Sequence, residues 1–456
     1  MDGDCYGCVP NGRIVVSPYQ PPKGMDDLLP REMDIKRAVE DEVRRHFKLY
    51  GYREVETPTL EYFDLFEKKS GEEIRERMYV FPDRHGRRLA LRPEVTPSIA
   101  RIVATRLKAA PMPLRLGYIA DCYRYDEPQW GRRRRFWQAG FEMIGTSAAE
   151  SDAEILLVSE DLFEGLGLLN QRFVVGHVGI LRAIMSESGV EETDQDRVLG
   201  RIDRGDEETA FEILTQTGVA TSTQEIIREL TERSSEDVDQ IVREGYEILQ
   251  PWSKAVGCLH NLETILKLAR SGGMASTVTL RLGFARGLEY YTGFVFEQYV
   301  PKVSVALNGG GRYDHLVKLF GGRDLPAVGC AVGITRIQQY LAEKTERKSW
   351  RTWGMPVAII YRKGCGAYAL RVGSKLREIG VAAEVAVGGK KLGQAISQYS
   401  KKGHGFLVIV GEEEEKTGTV TVRNLSERRQ VKVDLDDSEG LRKVVGDSVL
   451  PTKSFG

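Results

Sequence analysis

The sequence predicts two globular units: an α+β domain built on an antiparallel sheet and opened once by a helical insertion, then a C-terminal α/β domain. Three observations carry this. A chain of 456 residues is too long for one hydrophobic core. Strand and helix patterns alternate irregularly to about residue 182, give way to a helical, acidic stretch over 183–273, and resume at Ser276. Beyond residue 355 the rhythm becomes regular strand–helix alternation, which favours a mostly parallel core. The expected boundaries are a polar tail over 1–19, a first domain over 20–182 and 274–347, an inserted module over 183–273, a linker over Lys348–Gly354 and a second domain over 355–456.

Each element follows from a local signal. After the Pro- and Gly-punctuated loop Pro21–Pro30, apolar Ile35, Val39, Val43 and Phe47 recur at spacing four and predict a helix over 32–50, stopped by Gly51. Tyr52 to Glu56 reads as a strand ending before Pro58. Residues 78–81 and 89–91 form an expected hairpin around Asp83-Arg-His-Gly86. Thr96-Pro97 supplies an N-cap and a proline in the first turn for a helix through Arg106. Strands are expected over 114–126 and 136–145, and an amphipathic helix over 150–168. Further strands follow over 276–282, 293–300 and 303–307, then a helix from Tyr313 and a strand–helix pair over 328–341. In the second domain the strands are 357–361, 382–387, 406–410, 419–423 and 429–435. Helices are expected over 366–379, 390–402 and at the end.

Composition narrows the class. Hydrophobic content of 41% and charged content of 29% describe an ordinary globular protein, and no apolar run is long enough to cross a bilayer. The segment Met1-Asp-Gly-Asp-Cys-Tyr-Gly-Cys8 is acidic and polar, unlike a secretory or mitochondrial leader, so a cytoplasmic protein is expected. A net charge of −1 leaves nucleic-acid contact to local basic patches such as Arg132–Arg135. Six cysteines at 5, 8, 122, 258, 330 and 365 make no disulfide framework. Cys5-x-x-Cys8 lacks a second pair at zinc-ribbon spacing and reads as part of a reduced tail. No cluster of metal ligands stands out.

The chemistry concentrates in four segments. On a strand, residues two apart share a face, so Gln138, Gly140 and Glu142 line one side, and the small central residue leaves a recess between two polar groups. Arg124 and Asp126 share a face of the partner strand. The basic connection Glu127–Arg135 is far longer than a hairpin turn. The other three segments are Arg92-Pro-Glu-Val-Thr96, Arg286-Gly-Leu-Glu-Tyr-Tyr-Thr-Gly293 with Leu307-Asn-Gly-Gly-Gly-Arg-Tyr-Asp314, and Gly329-Cys-Ala-Val-Gly-Ile-Thr-Arg336. Glycines 329 and 333 let a ligand approach the backbone.

Over roughly residues 20–435 these segments resemble the class II aminoacyl-tRNA synthetases, and the 286–293 and 307–314 motifs resemble those of the histidyl-tRNA synthetases. The resemblance implies an enzyme that activates histidine with ATP and Mg2+ to histidyl-adenylate and pyrophosphate, then esterifies tRNA(His). It also implies a homodimer, joined through the helix–strand–Pro unit near the N-terminus. In this match Arg124 and Arg286 are catalytic and hold the α-phosphate. Arg132 and Arg336 bind the other phosphates, and Asp126 lies at the adenine edge. Glu94, Thr96 and Gln138 receive the substrate ammonium, Glu142 and Tyr291 bond the imidazole nitrogens, and Tyr313 and Tyr290 complete the histidine pocket. No metal ligand is assigned. Gln129 and Arg133 would approach the tRNA acceptor end, and lysines such as Lys390, Lys391, Lys401 and Lys402 would meet its phosphates. Two positions depart from the family: Glu289 stands where Asp is usual and Asp126 where Glu is usual.

Rival readings differ in what they retain. The non-catalytic regulatory subunit of ATP phosphoribosyltransferase resembles the first domain but lacks the second and degrades the arginine motif. A pseudo-synthetase that only binds RNA has no need of Arg124, Arg132, Arg286 and Arg336. Synthetases for proline, threonine or glycine should lack Glu142 paired with Tyr291.

Overall fold

Helix α1 (Pro30–Leu49) buries Ile35, Val39, Val43 and Phe47 in one stripe, as their four-residue spacing requires. Its Phe47 ring meets Phe141 edge-on with centroids 4.9 Å apart. The computed structural model describes residues 19–67, 72–286, 289–344, 355–386 and 392–446. Cys5, Cys8, the 348–354 linker, Lys390 and Lys391 lie outside the described residues. The chain divides into two units, Met1–Lys344 and Thr345–Gly456.

In the first unit, β1 (Arg53–Glu54) follows α1. Strands β2 (Leu60–Tyr62), β3 (Val80–Pro82) and β4 (Arg88–Leu91) form a small antiparallel sheet in the order β2-β4-β3, with α2 (Asp64–Glu67) and α3 (Glu72–Glu76) between its first two strands. Next come α4 (Thr96–Thr105), β5 (Leu114–Tyr123), β6 (Arg135–Ile144), α5 (Ala149–Gly165) and β7 (Arg172–His177). Helices α6 (Val178–Glu187), α7 (Glu192–Asp203), α8 (Glu207–Gln216), α9 (Thr221–Glu232), α10 (Val238–Leu249) and α11 (Ser253–Ser271) occupy the stretch read as an insertion, with β8 (Ser234–Ser235) between α9 and α10. The unit ends with β9 (Thr277–Arg281), β10 (Phe294–Tyr299), β11 (Asn308–Arg312), α12 (Leu316–Leu319), β12 (Ala327–Gly333) and α13 (Ile334–Lys344).

The large sheet runs β1-β5-β6-β12-β11-β10-β7-β9-β8. From β5 to β7 every pairing is antiparallel, as expected, whereas β1 on β5 and β7 on β9 are parallel. The insertion is stitched to this sheet: β8 pairs with β9, and α11 packs along α5 and α6.

Four expectations are corrected. The strand expected over 303–307 lies one step later, at β11, through Asn308-Gly-Gly-Gly-Arg312. A Cβ at Gly310 would strike the Gly329 carbonyl and one at Gly311 the Phe294 carbonyl, so glycine's weak strand preference yields to the close approach of β10 and β12. The strand expected over 114–126 stops at Tyr123, which leaves Arg124 and Asp126 in the turn beyond it. There Asp126 N–H donates to the Arg124 carbonyl at 2.7 Å. Thr96 is already helical and its hydroxyl makes no cap; Val95 precedes the helix without a side-chain bond. The helix expected from Tyr313 is the four-residue α12, which begins only at Leu316. Three strands, β2, β7 and the two-residue β8, were not anticipated.

The second unit contains β13 (Val357–Tyr361), α14 (Gly366–Glu378), β14 (Ala383–Val385), α15 (Leu392–Lys401), β15 (Phe406–Val410), α16 (Glu412–Thr417), β16 (Thr419–Asn424), β17 (Gln430–Asp434) and α17 (Ser438–Val445). Its sheet, β14-β13-β15-β16-β17, is parallel through the first three strands and antiparallel through the rest. Val357, Ala358, Ile359 and Ile360 are all buried because α14 and α15 cover opposite faces. The glutamate run 412–415 forms α16, where the Glu414 carboxylate accepts the Gly411 N–H at 2.9 Å and negative charge meets the helix N-terminus.

Candidate active site

A cavity of about 330 Å³ lies against β6, β11 and β12. Its wall gathers Glu94, Thr96, Arg124, Asp126, Arg132, Arg133, Gln138, Glu142, Arg286, Tyr290, Tyr291, Tyr313 and Arg336 from segments far apart in sequence. Of the residues expected at the catalytic centre and the acceptor end, Gln129 is outside this wall; its N–H and carbonyl pair instead with Arg132 across the loop.

One end of the cavity is closed by hydrogen bonds between buried side chains. Glu142, on β6, is 1% exposed. It accepts from the Thr96 hydroxyl at 2.8 Å and from the Tyr313 hydroxyl. Burial raises its carboxyl to about 8; the bonds from Tyr313 and Thr96 oppose the rise, and the charge of Glu94 adds to it. Gly329, opposite Glu142 across β12, leaves the space this carboxylate occupies, because a Cβ there would strike it. The Tyr290 hydroxyl donates to Glu94 at 2.8 Å, and the Tyr290 ring lies 5.0 Å from that of Tyr291. Arg92 anchors the strand-to-helix turn carrying Glu94 and Thr96: it donates to the Asp121 carbonyl at 2.6 Å and to the Thr57 carbonyl at 2.7 Å.

The other end is cationic. Arg286 donates to the Phe296 carbonyl at 2.8 Å and stands 3.6 Å from Glu297. Gly309 makes room for its guanidinium, which a Cβ would strike. Arg336 donates to the Gly131 and Ala306 carbonyls at 2.8 and 2.6 Å, and Arg124 to the Pro93 carbonyl at 2.9 Å. Burial first, then repulsion from Arg124 and Arg132, pulls the Arg336 pKa below its ordinary value. Arg124, Arg286 and Arg336 donate to backbone carbonyls, with Glu297 beside Arg286, and such crowding of guanidiniums suits a polyanion.

Some side chains are engaged in ways the sequence did not suggest. The recess expected over Gly140 is filled by the Tyr118 ring from β5, its partner in register. Tyr118 is buried and lines the cavity, and its hydroxyl has no hydrogen-bond partner. Asp126 pairs with Arg77 at 2.9 Å, and Arg133 with Asp26 at 2.6 Å. Gln138 accepts weakly from the Cys122 thiol at 3.4 Å. Tyr118, Glu297, Asn308 and Asp203 line the wall without having been singled out. Tyr118 is tied to the Gly of Gln-x-Gly-x-Glu by strand register, which neither strand's sequence shows alone. No group of three or more potential metal ligands occurs among the described residues. Glu297 and Asp203 are the carboxylates whose charge acts on Arg286.

The comparisons agree with this geometry. The histidyl-tRNA synthetase family model matches residues 24–337 and an anticodon-binding domain model matches 355–441. A Methanocaldococcus jannaschii protein named histidine–tRNA ligase is 37% identical over 420 residues, 92% of this chain and 98% of that one. Another of the same name from Archaeoglobus fulgidus is 39% identical over 414 residues, 90% and 96% of the two chains. Among solved structures, a Nostoc histidyl-tRNA synthetase shares the fold with a TM-score of 0.74 over 93% of this chain and 99% of its own, at 21% identity. A Bacillus halodurans protein described as an ATP phosphoribosyltransferase regulatory subunit/histidyl-tRNA synthetase gives 0.71 at 26% identity, over 86% and 97%. These matches define an aminoacyl-tRNA synthetase. The chain belongs to the histidyl-tRNA synthetase family.

Proposed function

We propose that this protein is a histidine–tRNA ligase that joins histidine to ATP as histidyl-adenylate, releases pyrophosphate and transfers the histidyl group to the terminal ribose of tRNA(His). The observation that carries it is the division of one cavity into a cationic end and a hydrogen-bonded end, whose side chains suit a nucleotide phosphate chain and a small polar ring. Arg124 and Arg286 hold the α-phosphate while the histidine carboxylate attacks it, and they stabilise the charge that builds on phosphorus. Arg132 and Arg336 bind the departing phosphates, and Asp126 meets the adenine. Glu94, Thr96 and Gln138 receive the ammonium, whereas Glu142 and Tyr291 address the two imidazole nitrogens between the rings of Tyr290 and Tyr313.

Mg2+ bound with ATP would supply charge neutralisation on the phosphates. Mg2+ takes one or two carboxylates beside substrate phosphates, and Glu297 next to Arg286 fits that demand. The loop 127–135, with Gln129 and Arg133, meets the acceptor end of tRNA, and Lys401 and Lys402 in the second unit meet its phosphates. A cytoplasmic homodimer completes the proposal. Its expected dimer face is the helix–strand–Pro unit formed by α1 and β1; no described helix is long and apolar enough to cross a membrane.

The regulatory-subunit alternative is disfavoured by the anticodon-binding match over 355–441 and by the four arginines around one cavity. Amino-acid-dependent ATP–pyrophosphate exchange, run with all twenty amino acids, tests the proposal. Exchange should occur with histidine alone; silence with histidine would refute it.

A further inference from the structure

We propose that Arg75 is a positioning residue for the hydrogen-bonded end of the cavity, clasping Glu289 and so fixing the segment that carries Tyr290 and Tyr291. This deepens the function proposed above and rests on it. The two terminal nitrogens of Arg75 lie 3.2 and 3.4 Å from the two oxygens of Glu289, a fork-to-fork contact bridging 214 positions of sequence. One of those nitrogens also donates to the Glu67 carbonyl at 3.1 Å, at the end of α2.

Two residues on, Arg77 makes a second stitch. Its guanidinium donates to Asp126 at 2.9 Å and its carbonyl accepts the Tyr125 N–H at 2.7 Å. Just before Arg75, Ile74 is buried against Leu65, Phe66 and Met78 and lines the cavity. The short stretch 74–78 is thus sewn to both walls of the site: to the turn holding Asp126 on one side, to Glu289 on the other. Glu289 is also the residue that departs from the family's usual Asp, and its extra methylene supplies the reach for a two-point contact. From Glu289 the chain passes directly to Tyr290, bonded to Glu94, and to Tyr291, whose ring lies 5.8 Å from the Arg286 guanidinium. Loosening the clasp therefore disturbs the histidine contacts before the phosphate contacts, which are anchored on backbone carbonyls elsewhere.

The test uses the full chain with Arg75→Ala, Arg75→Lys, Glu289→Gln, the Ala/Gln double variant and the exchanged pair Arg75→Glu/Glu289→Arg. In pyrophosphate exchange, Arg75→Ala and Glu289→Gln should each raise KM for histidine about tenfold while KM for ATP stays within about twofold. The double variant should be no worse than either single one, because both remove the same contact. Lysine, a point charge, should rescue only in part, and the exchanged pair should rescue more fully. Hydrogen–deuterium exchange read without substrates should accelerate over both 74–78 and 289–292 in Arg75→Ala. An unchanged KM for histidine, multiplying effects in the double variant, or faster exchange confined to 74–78 would each overturn the clasp. If the unmodified protein shows no histidine-dependent exchange, the proposed function falls, while the linked hydrogen exchange of the two segments still decides the clasp.

Discussion

The two ends of the cavity are built on opposite electrostatic plans. At one end Glu142, Thr96, Tyr313, Tyr290 and Glu94 satisfy one another's hydrogen bonds. At the other, Arg124, Arg132, Arg286 and Arg336 crowd together; burial and then the charges of Arg124 and Arg132 pull the Arg336 pKa down. The cationic end has an unmet demand that an incoming polyanion relieves. The hydrogen-bonded end leaves the Tyr118 hydroxyl unpartnered but otherwise offers bonds already made, so a ligand there must replace them, which favours selectivity over raw affinity. In the proposed function one end supplies rate and the other supplies choice.

The largest expected effect falls on the cationic end. Arg286→Ala should lower histidine-dependent pyrophosphate exchange by about a hundred- to a thousandfold, as loss of a preorganised charge-stabilising group does. Histidine binding, followed by calorimetry, should persist; normal exchange in this variant would dissolve the distinction between the ends. Glu142→Ala should act on the other side alone, raising KM for histidine on the order of ten- to a hundredfold with KM for ATP nearly constant. A parallel loss of ATP affinity would place Glu142 wrongly.

Two glycines sharpen the comparison further. Gly309→Ala intrudes on Arg286 and Gly329→Ala on Glu142, so the first should depress kcat and the second raise KM for histidine, each by about tenfold or less. Identical kinetic profiles would show that the cavity responds as a whole.

The smallest effect is a pH dependence. Glu142 titrates near 8 in the folded chain against an ordinary 4.5, so the fold favours the neutral carboxyl. Its contribution to stability is complete below pH 4.5 and is lost as pH rises through about 8. Glu142→Gln, permanently neutral, should therefore raise Tm relative to the parent at pH 8.5 more than at pH 5. Equal shifts in scanning calorimetry at both values would contradict the assignment of that proton.

Much of this site was legible because its chemistry is written in short spacings. Gln138-x-Gly-x-Glu142 and Arg286-x-x-x-Tyr290-Tyr291 carry their polar groups within a few residues, and the structure brings both to one cavity. What escaped depends on pairing across the sheet. Tyr118 reaches Gly140 only because β5 and β6 place them opposite, and register is not visible in either strand alone. The β11 strand was displaced because three glycines argue against a strand locally, while crowded neighbours demand them. Thr96 misled in the opposite way: it has the cap residue's chemistry at a helix start, yet its hydroxyl is turned to a carboxylate 46 positions away. Glu160 shows how such distant ties shape the frame, since its carboxylate receives the N–H groups of Ala275 and Ser276 where the chain leaves α11 for β9.

The triplet Gly309-Gly-Gly311 has a consequence for how this protein tolerates change. With no side chains, that strand presents bare peptide groups to its neighbours, so even a methyl group is an intruder at all three positions. A saturation scan of the gene should find codons 310 and 311 accepting almost nothing, whereas 309, which faces the movable end of Arg286, accepts alanine at a cost in rate. The chain's evolutionary freedom is narrowest where it has the least to mutate.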